Sequence, residues 1–334
     1  MKKISLVMVL ALVLSLFVGV GACAEEEIVI GVASLDLTQQ FYVYMQEGSA
    51  IAAEEEGVTI TWKSAESNLD NQIALIENFI QQEVDAIIVD PYDSEGLISV
   101  CEKAQAAGIP VISAGNFIDS DAVISCLYND RQDTYVIGKI IGESLQGEGD
   151  VAFLYGAAGN FISDERQGGF EAAMAEYPNI NYTSYAIGWD STTAMTTTQD
   201  ILASNPDTDF IHCFSDGETV GVYQAVEQAG LLDSVRITSY DGNIEASEAV
   251  KNGEYLCTLL TGAKRVGYWS SMVAIKAARG EEISSSKLYL KSYFIMNDDL
   301  KQQVEEWGIG YEGMEIISPD EGIKLFDEMT GFEY

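Results

Sequence analysis

The sequence predicts an α/β protein built from two doubly wound lobes, and three observations predict it. Short β-branched runs alternate with amphipathic stretches from residue 28 onward, the pattern of strand and helix in turn. Runs such as Ala86-Ile87-Ile88-Val89 are apolar without interruption, as strands of a parallel sheet covered by helices on both faces must be. The rhythm restarts near residue 151 with no Pro- or Ser-rich linker, in a chain holding only 5 prolines. The halves are therefore expected to meet at a hinge of short crossing strands rather than at a tether. The 334-residue length fits two units of ~150 residues each.

In the first half, strands are expected over 28–34, 58–63, 85–90, 109–114 and 122–128. Helices are expected over 41–56, 69–82 and 94–107, where apolar side chains recur at three- and four-residue spacing. In the second half the strands fall at 151–155, 182–187, 210–214 and 235–240, and the helices at 163–177, 192–203, 218–229 and 244–251. Beyond them, 256–261 reads as a strand, 266–279 as a helix and 287–296 as one further strand. Short helices are expected over 300–307 and 320–329.

The N-terminus reads as a targeting segment and stands outside the fold. Lys2 and Lys3 precede an uncharged run from Ile4 to Val20, followed by the small residues Gly21, Ala22, Cys23 and Ala24, which is the layout of a secretory signal over 1–24. Two cleavage readings overlap there. Val20-Gly21-Ala22-Cys23 resembles a lipoprotein signal that would acylate Cys23 and anchor the chain, whereas Ala22-Cys23-Ala24 fits the small-x-small site that would release a soluble protein. Either reading places the chain outside the cytoplasm.

Charge and motif content exclude several chemistries. With 53 acidic and 17 basic side chains the formal charge is −36, which repels phosphate backbones and anionic surfaces, so no nucleic-acid partner is expected. The single histidine, His212, lies in the apolar run Phe210-Ile211-His212-Cys213-Phe214 and reads as a core residue, which removes histidine-based triads. No G-x-S-x-G elbow, phosphate-binding loop or twelve-residue Ca²⁺ loop occurs. Cys101, Cys126, Cys213 and Cys257 sit in apolar contexts without metal-ligand spacing and read as buried thiols. No enzyme activity, cofactor or metal is expected.

Polar and aromatic residues gather instead where strands end, and in open α/β sheets ligands lie beyond the carboxyl ends of strands. Gln39-Gln40-Phe41-Tyr42 follows the first strand, Asp90-Pro91-Tyr92 the third and Gly115-Asn116-Phe117 the fourth. The second half offers Arg166, Trp189-Asp190, Ser215-Asp216-Gly217 and Asp241-Gly242. Aromatic faces pack on sugar C–H groups, and Asp, Asn and Arg pair with vicinal hydroxyls, so this set suits a neutral polyhydroxylated ligand. Asp216 reads rather as a helix N-cap.

Phe41-Tyr42, the stretch from Val84 to Ser94, Ala107 to Ile112, Asp133 to Gly138, Arg166 with Gly169-Phe170, Trp189-Asp190, Ala229-Gly230 and Tyr240-Asp241-Gly242 together resemble the periplasmic-binding-protein-like type 1 family. Within it the chain is most similar to the ribose-binding-like sugar-binding proteins of ABC importers, over roughly 28–296. The resemblance implies two Rossmann-like lobes joined by a three-crossing hinge near 129, 259 and 293. One lobe would take 28–129 plus 260–292, the other 130–259 plus 293–334.

The resemblance also assigns roles. Phe41, Tyr42 and Trp189 match stacking aromatics, Arg166 a hydroxyl-binding arginine and Asp241 a bidentate carboxylate. Asp90, Asn116, Ser215 and Thr261 occupy further ligand positions. Gly115-Asn116, Ser215 and Thr261 depart from the ribose pattern by losing long polar side chains, and Gln132 departs by standing where a Ser is expected, so a larger or differently substituted ligand than ribose is expected. The implied function is capture of a carbohydrate-like molecule by a monomeric receptor that delivers it to an ABC permease. Presentation of the liganded form to a membrane sensor is the rival.

Overall fold

The computed structural model describes residues 27–157 and 159–332. Two sheets organise them. The first contains β1 (Val29–Ser34), β2 (Thr59–Ser64), β3 (Ala86–Val89), β4 (Val111–Gly115), β5 (Val123–Leu127) and β11 (Lys287–Tyr289), in the order β11-β5-β4-β3-β1-β2. Every pairing in it is parallel. The second contains β6 (Glu148–Tyr155), β7 (Asn179–Ala186), β8 (Phe210–Cys213), β9 (Arg236–Thr238), β10 (Cys257–Leu260), β12 (Tyr293–Met296) and β13 (Glu315–Ile317), in the order β13-β12-β10-β9-β8-β6-β7. Only β10 against β12 runs antiparallel there. The five leading strands of each sheet repeat one topology, with a reversal of strand order between β1 and β3 and again between β6 and β8. Such reversals open a crevice at the carboxyl edge.

Helices cover both faces. In the first lobe, α1 (Gln40–Glu56) and α9 (Ala263–Ala278) lie on one side and α2 (Leu69–Gln81) and α3 (Ile98–Ala106) on the other. The second lobe carries α4 (Asp130–Ser144), α5 (Phe161–Met174), α6 (Ser191–Ser204), α7 (Asp216–Ala229), α8 (Ile244–Asn252), α10 (Asp298–Trp307) and α11 (Pro319–Phe326) around one core that includes Phe153, Phe170, Phe210 and Phe294. Local chemistry sets several ends: the Asn68 side chain caps α2 and that of Asn160 caps α5, while Gly57 and Gly230 close α1 and α7 in the left-handed conformation. The two-lobe α/β fold expected from the alternation is thus present. The chain passes between the sheets around 128–129, 261–262 and 290–292.

Two local expectations are corrected, and two elements are added. Residues 287–296 are two strands, because β11 pairs with β5 while β12 pairs with β10 in the other sheet. The helix expected from 94 begins at Ile98, since the Asp93 carboxylate accepts from Gly96 N and shapes a turn before it. Asp130–Ser144 forms a helix burying Val136, Ile137, Ile140 and Ile141 that the sequence reading did not single out. Glu315–Ile317 adds an edge strand beside β12.

The C-terminal segment returns to the first lobe. The Phe326 ring meets that of Tyr44 at 4.8 Å, Lys264 Nζ lies 2.7 Å from Asp327, Arg265 donates twice to the Thr330 carbonyl, and Phe332 stacks on Trp269 at 5.0 Å. These contacts give the residues beyond Met296 a structural role as a strap across both lobes. The segment 1–24 and Cys23 lie outside the described residues. Among the described residues no helix is long and apolar enough to cross a membrane.

Candidate functional site

A cavity of about 310 Å³ lies between the carboxyl edges of the two sheets. The first lobe contributes Gln39, Gln40, Phe41 and Tyr42 after β1, Asp90 after β3, Asn116 after β4 and Tyr128 after β5. The second contributes Asn160, Ile162 and Arg166 after β6, Trp189, Asp190 and Ser191 after β7, Ser215, Gly217 and Glu218 after β8, and Asp241 and Asn243 after β9.

In the first lobe Asp90 is the centre of a buried network. Its Oδ2 accepts from the Tyr42 hydroxyl at 2.7 Å and its Oδ1 from Asn116 Nδ2 at 2.8 Å. Burial outweighs these bonds and pushes the carboxyl up to about 6. The backbone beneath is fixed by Gln72, which donates to the carbonyls of Ala33 and Asp90 and accepts from Tyr92 N, tying the ends of β1 and β3 together. Because Asn116 spends its amide nitrogen on Asp90, its Oδ1 faces elsewhere and is buried without a partner, as is the Tyr128 hydroxyl.

In the second lobe Arg166, 3% exposed, is held from four directions. Its Nε donates to Asp130 Oδ1 at 2.8 Å, and its Nη1 donates to the Phe214 carbonyl at 2.5 Å and to Asp241 Oδ1 at 3.3 Å. The guanidinium carbon stands 3.7 Å from the centre of the Tyr240 ring. Burial alone would lower the Arg166 pKa, but the two carboxylates dominate and raise it. Asp241 has φ 107°, a region that side-chain-bearing residues rarely adopt. That backbone is held by its amide on the Leu259 carbonyl and its carbonyl on Gly262 N, and it turns the carboxyl toward Arg166. Burial raises Asp241 to about 6 despite the guanidinium.

Trp189 packs edge-on against Phe214 at 4.6 Å, and Asp190 caps α6 by accepting from Thr193 N. Ser215 occupies the N-cap position of α7, and its hydroxyl donates to Glu218, a buried carboxyl pushed up to about 7 by desolvation. Asp216 does not cap that helix. Its carboxylate accepts from the Ser239 and Thr258 hydroxyls and from Asn243 N, and so joins the ends of β8, β9 and β10.

Eight of the nine ligand positions named from the sequence line the cavity: Phe41, Tyr42, Asp90, Asn116, Arg166, Trp189, Ser215 and Asp241. Thr261 does not. It is fully buried in the crossing after β10, where its carbonyl accepts from Arg265 Nη1 and its hydroxyl has no partner. Tyr128, Asn160, Glu218 and Asn243 line the cavity without having been singled out. Their common signal is position, at a strand end or within a residue or two of the helix start that follows.

His212 lies away from the cavity, packed against both Phe153 and Phe170 with its Nδ1 3.0 Å from the Thr238 hydroxyl, and burial lowers its pKa to about 3. Cys101, Cys126, Cys213 and Cys257 are buried, unpaired thiols. Among the described residues no group of three or more His, Cys, Asp and Glu is arranged to hold a metal ion.

Comparison with known proteins agrees with this geometry. Residues 30–282 match the family described as periplasmic binding protein domain. The chain is 26% identical over 289 residues to the ribose import binding protein of Salmonella typhimurium, covering 85% of this chain and 95% of that protein. A periplasmic solute binding protein of an ABC transporter from Actinobacillus succinogenes, solved with bound D-allose, superposes with a TM-score of 0.77 at 29% identity, over 83% of this chain and 100% of that one. A solute binding protein from Bacillus halodurans, solved with bound myo-inositol, also has a TM-score of 0.77, at 26% identity over 84% and 98%. The chain belongs to the periplasmic binding protein domain family.

Proposed function

We propose that this member of the periplasmic binding protein domain family is an extracytoplasmic receptor that captures a sugar or sugar-like ligand between its lobes and delivers it to an ABC permease. The observation that carries the reading is the cavity itself. Aromatic Phe41 and Trp189 and the fork-shaped Asp90, Asn116, Arg166 and Asp241 converge there from opposite lobes. A volume of about 310 Å³ is at the low end of the ~300–1,000 Å³ of small-molecule sites, room for a monosaccharide rather than a chain of them. Proteins similar to this one over most of its length are named for ribose import or were solved with D-allose or myo-inositol bound. The ligand is returned unaltered.

In this reading residues 1–24 direct export, and the mature chain is either anchored through Cys23 or released. The lobes are close to 28–129 plus 260–292 and 130–259 plus 293–334, with Leu260 in the second sheet and the segment after Phe326 packed back on the first lobe, and the receptor acts as a monomer. A ligand that favours the closed arrangement shifts the lobes toward it, and the permease reads that arrangement. Thermal unfolding of the exported protein against pentoses, hexoses, disaccharides and polyols tests the reading. A ligand at 100 times its dissociation constant stabilises the folded state by about 2.7 kcal/mol. A selective rise in melting temperature with one sugar class is expected, and no rise with any of them overturns the reading. Uptake reconstituted with the permease separates transport from delivery to a membrane sensor.

A further inference from the structure

The polar groups of the cavity are unbalanced in charge. Asp90, Asp190, Glu218 and Asp241 line it against a single cation, Arg166, and that guanidinium is already shared between Asp130 and Asp241. Asp90 and Glu218 are 5% and 7% exposed, and among the described residues neither forms an ion pair. Their partners are neutral donors: Tyr42 and Asn116 for Asp90, Ser215 for Glu218. The Ser215 hydroxyl gives its one proton to Glu218, and Asp241 lines the same lobe's face of the cavity. Asp241 in turn destabilises the charge on Glu218. Removing an ionised carboxyl from water without a counter-charge is expensive, and the cavity holds two such carboxyls, Asp90 on one lobe and Glu218 on the other.

One neutral group leans the same way. Asn116 Oδ1 and the Tyr128 hydroxyl are buried at the cavity without partners, and the hydroxyl can either donate or accept. The amide orientation of Asn116 is fixed by its bond to Asp90, so an acceptor is what it offers the ligand. The wall therefore asks for hydrogen-bond donors and for positive charge, and an ammonium group supplies three donors and one charge in the space of a hydroxyl.

We propose that the ligand is an amino sugar or an aminated polyol whose ammonium is received by the second lobe's carboxyls Glu218 and Asp241. This rests on the sugar-receptor reading and narrows its ligand class. The hydroxyls of such a ligand meet Asp90, Asn116 and Arg166, while its charge neutralises Glu218, which has no cation of its own, and adds to the share of Arg166 that Asp241 already has.

Matched probes test it by calorimetry on the exported protein: D-glucosamine, D-galactosamine and D-mannosamine against their N-acetylated forms and the parent hexoses, and 1-amino-1-deoxy-sorbitol against sorbitol. In at least one set the amine is expected to bind tenfold or more tightly than its hydroxyl counterpart, with the advantage lost on N-acetylation. Glu218→Gln should reduce that ratio to within threefold. The N-acetyl comparison decides the matter on the unaltered protein should that variant fail to fold. A parent sugar binding as well as its amine in every set overturns this proposal and leaves the receptor reading standing. Binding of none of the probes or sugars overturns both. An amine preference unchanged in Glu218→Gln overturns the role of Glu218.

Discussion

The ring of Phe117 lies 5.6 Å from that of Phe161, and the two belong to different lobes. Phe117 follows Asn116 at the end of β4, and Phe161 opens α5 between Asn160 and Ile162, so their contact stands beside the cavity where the lobes meet. Lys287 Nζ covers the Phe117 ring at 4.0 Å from the side.

If the lobes part and close as proposed, such a pair holds only while they are together. Phe117→Ala should weaken closure by about 1 kcal/mol, roughly a fivefold faster ligand release. Stopped-flow tryptophan fluorescence measures the release rate. An unchanged rate would show that the rings do not hold the lobes together.

The fork of Arg166 makes a prediction about stability as well as binding. Arg166→Ala leaves Asp130 and Asp241 buried without a cation and should destabilise the fold by about 3–5 kcal/mol. Arg166→Lys keeps the charge but cannot span Asp130, the Phe214 carbonyl and Asp241 at once, and should fall between. Denaturant titration of the unliganded variants checks the order.

Asp241→Ala and Trp189→Ala touch the cavity wall while leaving Arg166 its bond to Asp130. Each should weaken ligand binding by about 2 kcal/mol with folding retained. Unchanged affinity in both variants would remove them from the site.

Helices α1 and α9 approach at backbone distance through two glycines. A Cβ at Gly48 would lie 1.8 Å from the Lys264 carbonyl oxygen, and one at Gly267 2.1 Å from that of Met45. Gly48→Ala or Gly267→Ala must push the helices apart and should cost about 1–3 kcal/mol. Thermal unfolding reads the effect directly.

Burial raises Asp90, Asp133 and Asp241 to about 6 and Glu218 to about 7. A group with a raised pKa in the folded state binds its proton more tightly there than in the unfolded chain. The stability it contributes is complete below the unfolded value, about 4, and is lost as pH rises through the folded one. The unliganded protein should therefore melt higher at pH 5 than at pH 8, and Glu218→Gln should flatten the upper part of that slope. A melting temperature that climbs from pH 5 to 8 would contradict it.

Layering was legible in the sequence because burial on two faces leaves a local mark. Continuous apolar strands such as Ala86–Val89 and helices with three- and four-residue spacing announce themselves within a dozen residues. So did the strand ends, and through them most of the cavity wall from Phe41 to Asp241. What decided the rest acts between residues far apart in the chain. The run 287–296 looks like one strand until two sheets compete for its halves. Asp216, placed where a helix cap is expected, instead accepts from Ser239, Thr258 and Asn243. Thr261 follows a strand like its neighbours but is buried in the crossing between lobes. Glu218 shows nothing in its local pattern to separate it from a solvated helix residue; only the packing of α7 against the cleft buries it beside Ser215 and Asp241. Periodicity records which side chains leave water. Which buried charges face one another is set by tertiary closure, because a carboxylate and its partner can lie 75 residues apart, as Arg166 and Asp241 do.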